Sequence, residues 1–456
     1  MNPKKNLPVF FIVLLALWAC TPKADDVVGP GGPAVEVFQI PDAGMYPLEN
    51  DQHLDVLLHE IGSSSLVLLG EASHGTAEFY TWRAAITRRL VAEKGFKVIA
   101  IEGDWPAAYG INRFIKGDNR YASSQQALEA FDRWPAWRWA NKEMVDLTNW
   151  LRTYNGQQAA NEQVGFYGLD VYSLWESVES LRQDFPEADP QTLAAIDQAL
   201  ICLGPYNRNT SAYAQATKEG RGCGAELKNL LAAVQQQTQD LADDHAFNAL
   251  QNAVVGVNAH NYYQAAQLSS LQSWNIREQH MMETIDRLAR QQGPDAKIIV
   301  WAHNAHVGDA HFSSMAEGGM DNLGQLMREK YKTKGVYLVG LGTYQGSVLA
   351  AAFWGGPMET MQMPVAHPDS WEAALHERGA VNKLVLLREW RANAELTKLR
   401  GHRTIGEVYV PGQEAGNYVP SNLPNRYDAF LYVDKTQALR PLSDFAGKLR
   451  TPLGPR

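Results

Sequence analysis

The sequence predicts an α/β fold, organised as a mostly parallel sheet with flanking helices and one large helical insertion. Two observations support this prediction: short apolar runs recur along the chain, and apolar residues at helical spacing connect the first two runs. Unbroken apolar runs are typical of strands that are buried on both faces, as in parallel sheets. Four such runs precede an ionisable residue, and they lie at residues 66–69, 98–101, 164–169 and 298–302.

A helix is predicted between the first two strands, behind Thr76 as the candidate N-cap. Its apolar positions at helical spacing are Phe79, Trp82, Ile86 and Leu90. A strand, a helix and a second strand of this length form the crossover connection that joins neighbouring parallel strands. Residues 336–341 and 430–433 are two further strand candidates later in the chain.

Residues 173–292 differ in composition from the rest of the chain. This segment is rich in Ala, Gln, Leu and Asp and has few strand-like runs. We interpret it as several helices that are inserted into the sheet domain or cap it, within one domain spanning residues 38–456. An independent helical bundle is the alternative interpretation.

The N-terminus has the features of an export signal. Two lysines precede an apolar stretch at residues 9–17, and a small-residue segment then ends at Cys20. The stretch is shorter than the roughly 20 apolar residues that span a bilayer. The pattern resembles the lipobox of bacterial lipoproteins, which implies a signal peptide at residues 1–19, lipidation of Cys20 and a flexible tether at residues 20–37. Such a protein is anchored in the cell envelope by its lipid alone, on the periplasmic side of the outer membrane in a Gram-negative organism.

The charge balance argues against a nucleic-acid partner. The chain has 50 acidic and 41 basic residues, giving a formal net charge of -9, and the basic residues form no block. We therefore expect a small-molecule ligand and not a nucleic acid.

Export changes the interpretation of the other two cysteines. Cys202 and Cys223 flank a stretch rich in Gly, Asn and Ser, and an oxidising compartment would permit a disulfide between them. Two separate buried thiols are the alternative.

Each of the four apolar runs leads into an ionisable residue. These residues are Glu71, Glu102, Asp170 and His303. In an open parallel sheet, ligands bind in the crevice beyond the carboxyl ends of the strands. We therefore expect the four side chains to meet there and to form an active site.

His74 lies in a short turn between the first strand and the first helix, bounded by Gly70 and Gly75. Imidazole has a pKa near neutrality, and a neighbouring carboxylate orients the ring and makes it more basic. With Glu71 and Glu102 nearby, His74 has the surroundings that a general base requires.

Three more candidates, His306, Asn304 and Arg83, complete the expected site. His303 and His306 form a second imidazole pair, with Asn304 as a hydrogen-bonding partner. Arg83, on the helix after the turn, has a permanent positive charge that would stabilise a developing oxyanion. Together these groups predict a site for general acid–base chemistry.

Five segments of the chain resemble the erythromycin esterase family. They are GEASHGTAEF at residues 70–79, IEGDW at 101–105, FYGLD at 166–170, WAHNAH at 301–306 and RYDAF at 426–430. The resemblance extends over nearly all of the chain after the tether. It implies an enzyme that opens an ester, such as the lactone of a macrolide antibiotic, with an activated water. It also implies that no covalent intermediate, cofactor or metal is needed.

The resemblance implies roles for single residues as well. It implies His74 as the base and Glu71 and Glu102 as its supporting carboxylates. The other catalytic residues that it implies are Arg83, His303 and His306. Candidates for substrate binding within the same segments are Asp104, Trp105, Asp170 and Asn304.

Two other functions remain open for the same residues. The histidines and carboxylates offer enough nitrogen and oxygen ligands for a divalent cation, which would make the chain a metal-dependent hydrolase. The second alternative is an exported lipoprotein that binds haem or another bulky ligand without catalysis. Covalent serine catalysis is disfavoured because the sequence lacks a Gly-x-Ser-x-Gly elbow.

Overall fold

The structure is a computed structural model that describes residues 37–185, 188–238, 243–332 and 335–442. It confirms the predicted α/β class, with a large sheet between two apolar cores. The expected signal peptide, the lipidation site Cys20 and the tether up to residue 36 lie outside the described residues.

The described ranges contain eleven strands. They are β1 (Met45–Pro47), β2 (Leu66–Leu69), β3 (Val98–Asp104), β4 (Gly165–Asp170), β5 (Ile298–Trp301), β6 (Val336–Ala351), β7 (Met358–Met363), β8 (Lys383–Leu386), β9 (Arg400–Arg403), β10 (Tyr418–Ser421) and β11 (Ala429–Thr436). Nine of them form the main sheet in the order β1-β8-β11-β6-β2-β5-β3-β4, with β7 beside β6, while β9 and β10 form a separate pair. The strands from β11 to β4 are parallel to their neighbours, whereas β1, β7 and β8 form antiparallel pairs.

Sixteen α-helices surround the sheet in the described ranges. They are α1 (Asp55–Ile61), α2 (Ala77–Lys94), α3 (Trp105–Ile115), α4 (Ser124–Leu128), α5 (Lys142–Asn155), α6 (Leu174–Asp184), α7 (Pro190–Leu203), α8 (Thr210–Lys218), α9 (Gly224–Gln237), α10 (Asp244–Ala265), α11 (Ser270–Gln292), α12 (Asn304–Val307), α13 (Ser314–Glu317), α14 (Leu323–Lys330), α15 (Trp371–Glu377) and α16 (Leu423–Arg426). In this described part of the chain, none of the helices combines the length and the apolar character needed to cross a membrane.

The residues of the central strands pack alternately into the two apolar cores. In β2, Val67 and Leu69 lie in one core, and Leu66 and Leu68 lie in the other. Helices α2 and α5 cover the first face of the sheet, and α11 and α14 cover the second. Because both faces are buried, the strand has the unbroken apolar sequence from which it was predicted.

Two details at the strand ends differ from the sequence prediction. β3 continues to Asp104 through a register shift after Ile101, so Glu102 belongs to the irregular end of the strand. Thr76 does precede α2, but its hydroxyl pairs with that of Ser73 and does not cap the helix. The predicted N-cap hydrogen bond is therefore wrong.

Helices α6 to α11 occupy the described part of residues 173–292. They share an apolar core of their own, which includes Leu174, Val178, Leu203, Leu227 and Tyr263. α11 also packs against β4 and α14, so this helix connects the insertion to the sheet.

A disulfide joins Cys202, near the end of α7, to Cys223, which directly precedes α9. A bond that closes a loop of this length restricts the unfolded chain, and we expect it to add about 3 kcal/mol to the free energy of unfolding. A reductant should therefore lower the urea midpoint of the wild type. The control is a Cys202→Ala/Cys223→Ala variant, whose low midpoint should not respond to the reductant. An equal response of both proteins would contradict the prediction.

Candidate active site

The carboxyl ends of the parallel strands bring the expected ionisable residues together. Glu102 Oε2 accepts a hydrogen bond from the backbone N–H of His303 at 2.8 Å. The guanidinium of Arg277 donates to Glu102 Oε1 at 2.7 Å and to Asp170 Oδ2 at 2.8 Å. The ring of His74 follows, with its centroid 4.6 Å from that of His303. These side chains form one buried cluster at a single edge of the sheet.

The turn that carries His74 is packed too tightly for side chains at two positions. A Cβ on Gly70 would lie 2.1 Å from Asn304 Oδ1, and a Cβ on Gly75 would lie 1.8 Å from the backbone oxygen of Leu349. The backbone N–H of Leu349 also donates to the oxygen of Gly75 at 2.9 Å. Glycine at these positions is what allows the turn to lie directly on its neighbours.

His74 is a buried, neutral imidazole. Its Nδ1 donates to Glu71 Oε1 at 2.9 Å, because a carboxylate can only accept, and this assigns the lone pair to Nε2. Burial and the nearby Arg138 guanidinium lower the pKa of His74 to about 3. Nε2 faces Glu407 Oε1 at 3.5 Å. His74 therefore presents a proton acceptor on the side of Glu407.

Arg83 is enclosed behind Glu71. Its Nη2 donates to Glu71 Oε2 at 2.5 Å, and its guanidinium lies 4.5 Å from the ring centroid of Tyr80 and 4.6 Å from that of Trp301. Burial raises the pKa of Glu71, and the charge of Arg83 opposes that shift. The Arg83 side chain is 0% exposed, and in this arrangement its guanidinium holds Glu71 in place. Its expected contact with an oxyanion stays a prediction.

Two arginines that the sequence analysis missed neutralise Glu102. Arg138 Nη2 lies 2.9 Å from Glu102 Oε1, the same oxygen that accepts from Arg277. Burial alone would raise the pKa of Glu102, but Arg138, His306 and Arg277 hold it well below its usual range. Arg138 precedes α5 and Arg277 lies in α11, so no spacing in the sequence connects either residue with β3.

His303 is bonded to the backbone through both ring nitrogens. Nδ1 accepts from the N–H of Ala305 at 3.3 Å, and Nε2 donates to the oxygen of Ile405 at 3.1 Å. Burial and the neighbouring His74 lower the pKa of His303 well below its usual value. Its geometry is therefore that of an N-cap for α12, and its expected catalytic role stays a prediction.

His306 belongs to the charge network around Glu102. Its Nδ1 contacts Glu278 Oε1, and Arg277 Nη1 lies 2.8 Å from its Nε2. Glu102 Oε1 is 3.4 Å from the same Nε2. Burial disfavours the charged ring, but the Glu278 and Glu102 carboxylates outweigh it and raise the pKa of His306 to about 9. An arginine can only donate a hydrogen bond. A doubly protonated His306 would therefore donate from Nε2 to Glu102 and would no longer accept from Arg277.

Two of the expected substrate-binding residues are structural. Trp105 is fully buried, donates to Asn248 Oδ1 at 2.9 Å and stacks on Tyr167. Asn304 Nδ2 donates to the oxygen of Leu341 at 2.6 Å, which fastens α12 to β6. Neither residue is among those that line the two cavities described below, and their role in substrate binding stays a prediction.

A small cavity of about 50 Å³ lies beside the cluster. Its polar wall includes Glu102, Arg138, Asp170 and Glu407. Its aromatic wall includes Phe131, Trp134, Trp139, Tyr172 and Trp354. The side chain of Glu407 is 20% exposed and that of His74 is 4% exposed, and Glu407, which contacts His74, is the one of the two that lines the cavity. Sequence reasoning missed Glu407, because a lone glutamate in a loop gives no signal.

A larger pocket of about 210 Å³ adjoins this cavity. The two spaces share Asp104, Phe131 and Arg133 as wall residues. Arg133 Nε donates to Asp104 Oδ2 at 2.9 Å, so an ion pair stands where the spaces meet. Asp104 lines both spaces and Asp170 lines the inner cavity, while their expected role in substrate binding stays a prediction.

The acids and imidazoles of the cluster are engaged with one another and with arginines. Within the described ranges, no group of three or more His, Cys, Asp or Glu side chains is arranged to hold a metal ion.

Comparison with known proteins gives consistent matches. A family model described as erythromycin esterase matches residues 91–436. Erythromycin esterase type II from Escherichia coli is 23% identical over 370 residues, which cover 75% of this chain and 85% of that protein. The matched range of the family model contains Glu102 and His303, whereas Glu71 and His74 precede it.

Solved structures share the fold at low sequence identity. A protein from Bacillus cereus superposes with a TM-score of 0.74 and 21% identity, covering 88% of this chain and 97% of that one. An erythromycin esterase mutant in its open conformation gives a TM-score of 0.60 and 17% identity, covering 85% of this chain and 95% of that one.

We predict that Arg277→Gln will lower the free energy of unfolding by about 3 kcal/mol or more, because it leaves Asp170 and Glu102 buried without this cation. Urea denaturation measures the change. Adding Asp170→Asn to this variant should restore part of the stability, since it removes one of the uncompensated charges. The control is Arg182→Gln, which removes an ion pair at the surface and should have little effect. If Arg277→Gln were as stable as the wild type, the ionised state of the two carboxylates would be refuted.

Proposed function

We propose that this chain, which belongs to the erythromycin esterase family, hydrolyses a carboxylic ester by attack of a water molecule that His74 activates. The observation that supports this best is the arrangement of the His74 ring. Glu71 orients it through Nδ1, and the lone pair on Nε2 lies toward the wall of the cavity. This is the arrangement of a general base.

In the proposed reaction, His74 Nε2 takes a proton from water while the water oxygen attacks the ester carbonyl carbon. Glu71 stabilises the imidazolium that forms, and Arg83 keeps Glu71 in position. The oxyanion on the tetrahedral intermediate requires a cation. Arg138 is a cation that lines the cavity, whereas Arg83 does not line it. We assign the oxyanion to Arg138 for this reason.

The dimensions of the cavity favour an ester with a compact reacting end. Sites for drug-sized ligands measure roughly 300–1,000 Å³, whereas the inner cavity measures about 50 Å³ and the adjoining pocket about 210 Å³. A macrolide lactone is the second candidate, since the relative from Escherichia coli is named an erythromycin esterase. A molecule of that size would enter only after the walls of the two spaces had separated.

The test is hydrolysis of a panel of esters by the purified protein. The panel contains 4-nitrophenyl acetate, ethyl acetate and erythromycin, each with and without a chelator. Mass spectrometry detects the addition of one water to the erythromycin lactone, and release of the acid and the alcohol reports hydrolysis of the two acetates. We expect hydrolysis that the chelator does not affect. His74→Asn should lower kcat by about 10³-fold, because it removes the base. Loss of activity with chelator would favour a metal-dependent hydrolase, and a fully active His74→Asn would exclude this mechanism.

The low pKa of His74 predicts an unusual pH profile. The base is active when neutral, and burial and Arg138 keep it neutral at all pH values above about 3. We therefore expect kcat/KM to stay level as the pH falls from 8 to about 5, where an ordinary histidine base would already have lost activity tenfold per pH unit. Circular dichroism at each pH shows that the protein remains folded. An apparent pKa between 6 and 7 in this profile would refute the burial argument.

A further inference from the structure

We propose that Glu407 is a further catalytic residue, which takes the proton from His74 and delivers it to the oxygen of the leaving alcohol. The inference rests on the proposed ester hydrolysis and goes beyond it. Two observations support it: Glu407 Oε1 lies 3.5 Å from His74 Nε2, and Glu407 is part of the cavity wall.

The two facing atoms are complementary only when a proton lies between them. A neutral imidazole nitrogen and a carboxylate oxygen both accept, so the resting contact between His74 and Glu407 is not a hydrogen bond. Once His74 has taken a proton from water, Nε2–H becomes a donor that faces Glu407 Oε1. Burial and Arg138 lower the pKa of His74 to about 3, so the imidazolium gives the proton up readily.

The other imidazoles of the cluster are bound elsewhere. His303 uses both nitrogens for backbone groups. His306 Nε2 lies beside Arg277 and Glu102, and its Nδ1 lies beside Glu278. Among the described residues, Glu407 is the carboxylate that both contacts His74 and lines the cavity.

The backbone holds Glu407 in this position. The N–H of Ala351 donates to the oxygen of Glu407 at 2.9 Å, and the N–H of Ile405 donates to the oxygen of Ala72 at 2.7 Å. Arg138 Nη1 lies 3.2 Å from Glu407 Oε1. These contacts restrain Glu407 at a position where it touches both His74 and the cavity, as a proton carrier requires.

With this assignment, the proton that water loses is the proton that the leaving alcohol gains. Water loses one proton to His74 Nε2 as its oxygen bonds to the carbonyl carbon. His74 passes that proton to Glu407 Oε1. The bond from carbon to the leaving oxygen then breaks, the alkoxide takes the proton from Glu407, and the acid and the alcohol are released. His74 is again neutral and Glu407 again a carboxylate.

The dependence on the leaving group tests this role. An alkoxide must be protonated as it leaves, whereas 4-nitrophenolate is stable without a proton. Glu407→Gln keeps the shape and an acceptor oxygen for Arg138 but cannot carry the proton. We expect its kcat for ethyl acetate to fall by about 10²-fold with KM nearly unchanged, and its kcat for 4-nitrophenyl acetate to fall by less than about threefold.

Two variants complete the experiment. Glu407→Asp retains the carboxylate and should recover part of the lost rate with ethyl acetate. Glu359→Gln, at an exposed position on β7, is the matched control and should behave as the wild type. Thermal melting shows whether each variant is folded.

Each remaining outcome decides a separate claim. Equal losses for both esters, or no loss at all, would overturn the role of Glu407 while leaving the esterase intact. The role of Glu407 is also overturned, and the esterase again remains intact, if the wild type hydrolyses 4-nitrophenyl acetate but neither ethyl acetate nor erythromycin. If the wild type hydrolyses no ester of the panel, the proposed function fails and this inference fails with it.

Discussion

The neutralisation of one buried carboxylate by two arginines is the interaction on which the site depends. An ionised carboxylate in the interior is strongly unfavourable unless cations and hydrogen bonds compensate it. The guanidinium groups of Arg138 and Arg277 both pair with Glu102 Oε1, and Glu102 Oε2 accepts a hydrogen bond from the backbone N–H of His303. This single group thereby ties the ends of β3 and β5 to each other. Through Arg277 of α11, it also ties the helical insertion to the sheet.

The three histidines of the cluster show how surroundings separate chemically identical groups. His303 is bonded to the backbone on both sides, and His306 is surrounded by charges that favour its protonation. His74 differs because Glu71 uses one of its nitrogens and the other faces the cavity side. A motif that contains several imidazoles therefore does not say which of them exchanges protons. Their hydrogen-bond partners do.

The sequence was sufficient for the sheet but only partly sufficient for the site. A strand that is buried on both faces has an unbroken apolar sequence, so the strands could be recognised. The carboxyl ends of parallel strands lie at one edge of the sheet, so the meeting of Glu102, Asp170 and His303 could be predicted. Arg277 and Glu407 could not, because they reach the site from α11 and from a loop that long-range packing positions. Trp105 shows a different limit: it directly follows Asp104 in one motif, yet its ring points into the core. Proximity in sequence fixes the location of a side chain but not its direction.

The close contact of Gly75 with Leu349 has a consequence for how a bulky molecule could enter. This turn packs on β6 without space for even one methyl group, so it has little room to move. Another wall of the cavity is built from residues within the segment 131–139, where Arg133 pairs with Asp104 at the end of β3. Any widening of the cavity must therefore come from the segment 131–139. Relatives that accept ligands of different size would be expected to vary in that segment while keeping the turn at Gly75 unchanged.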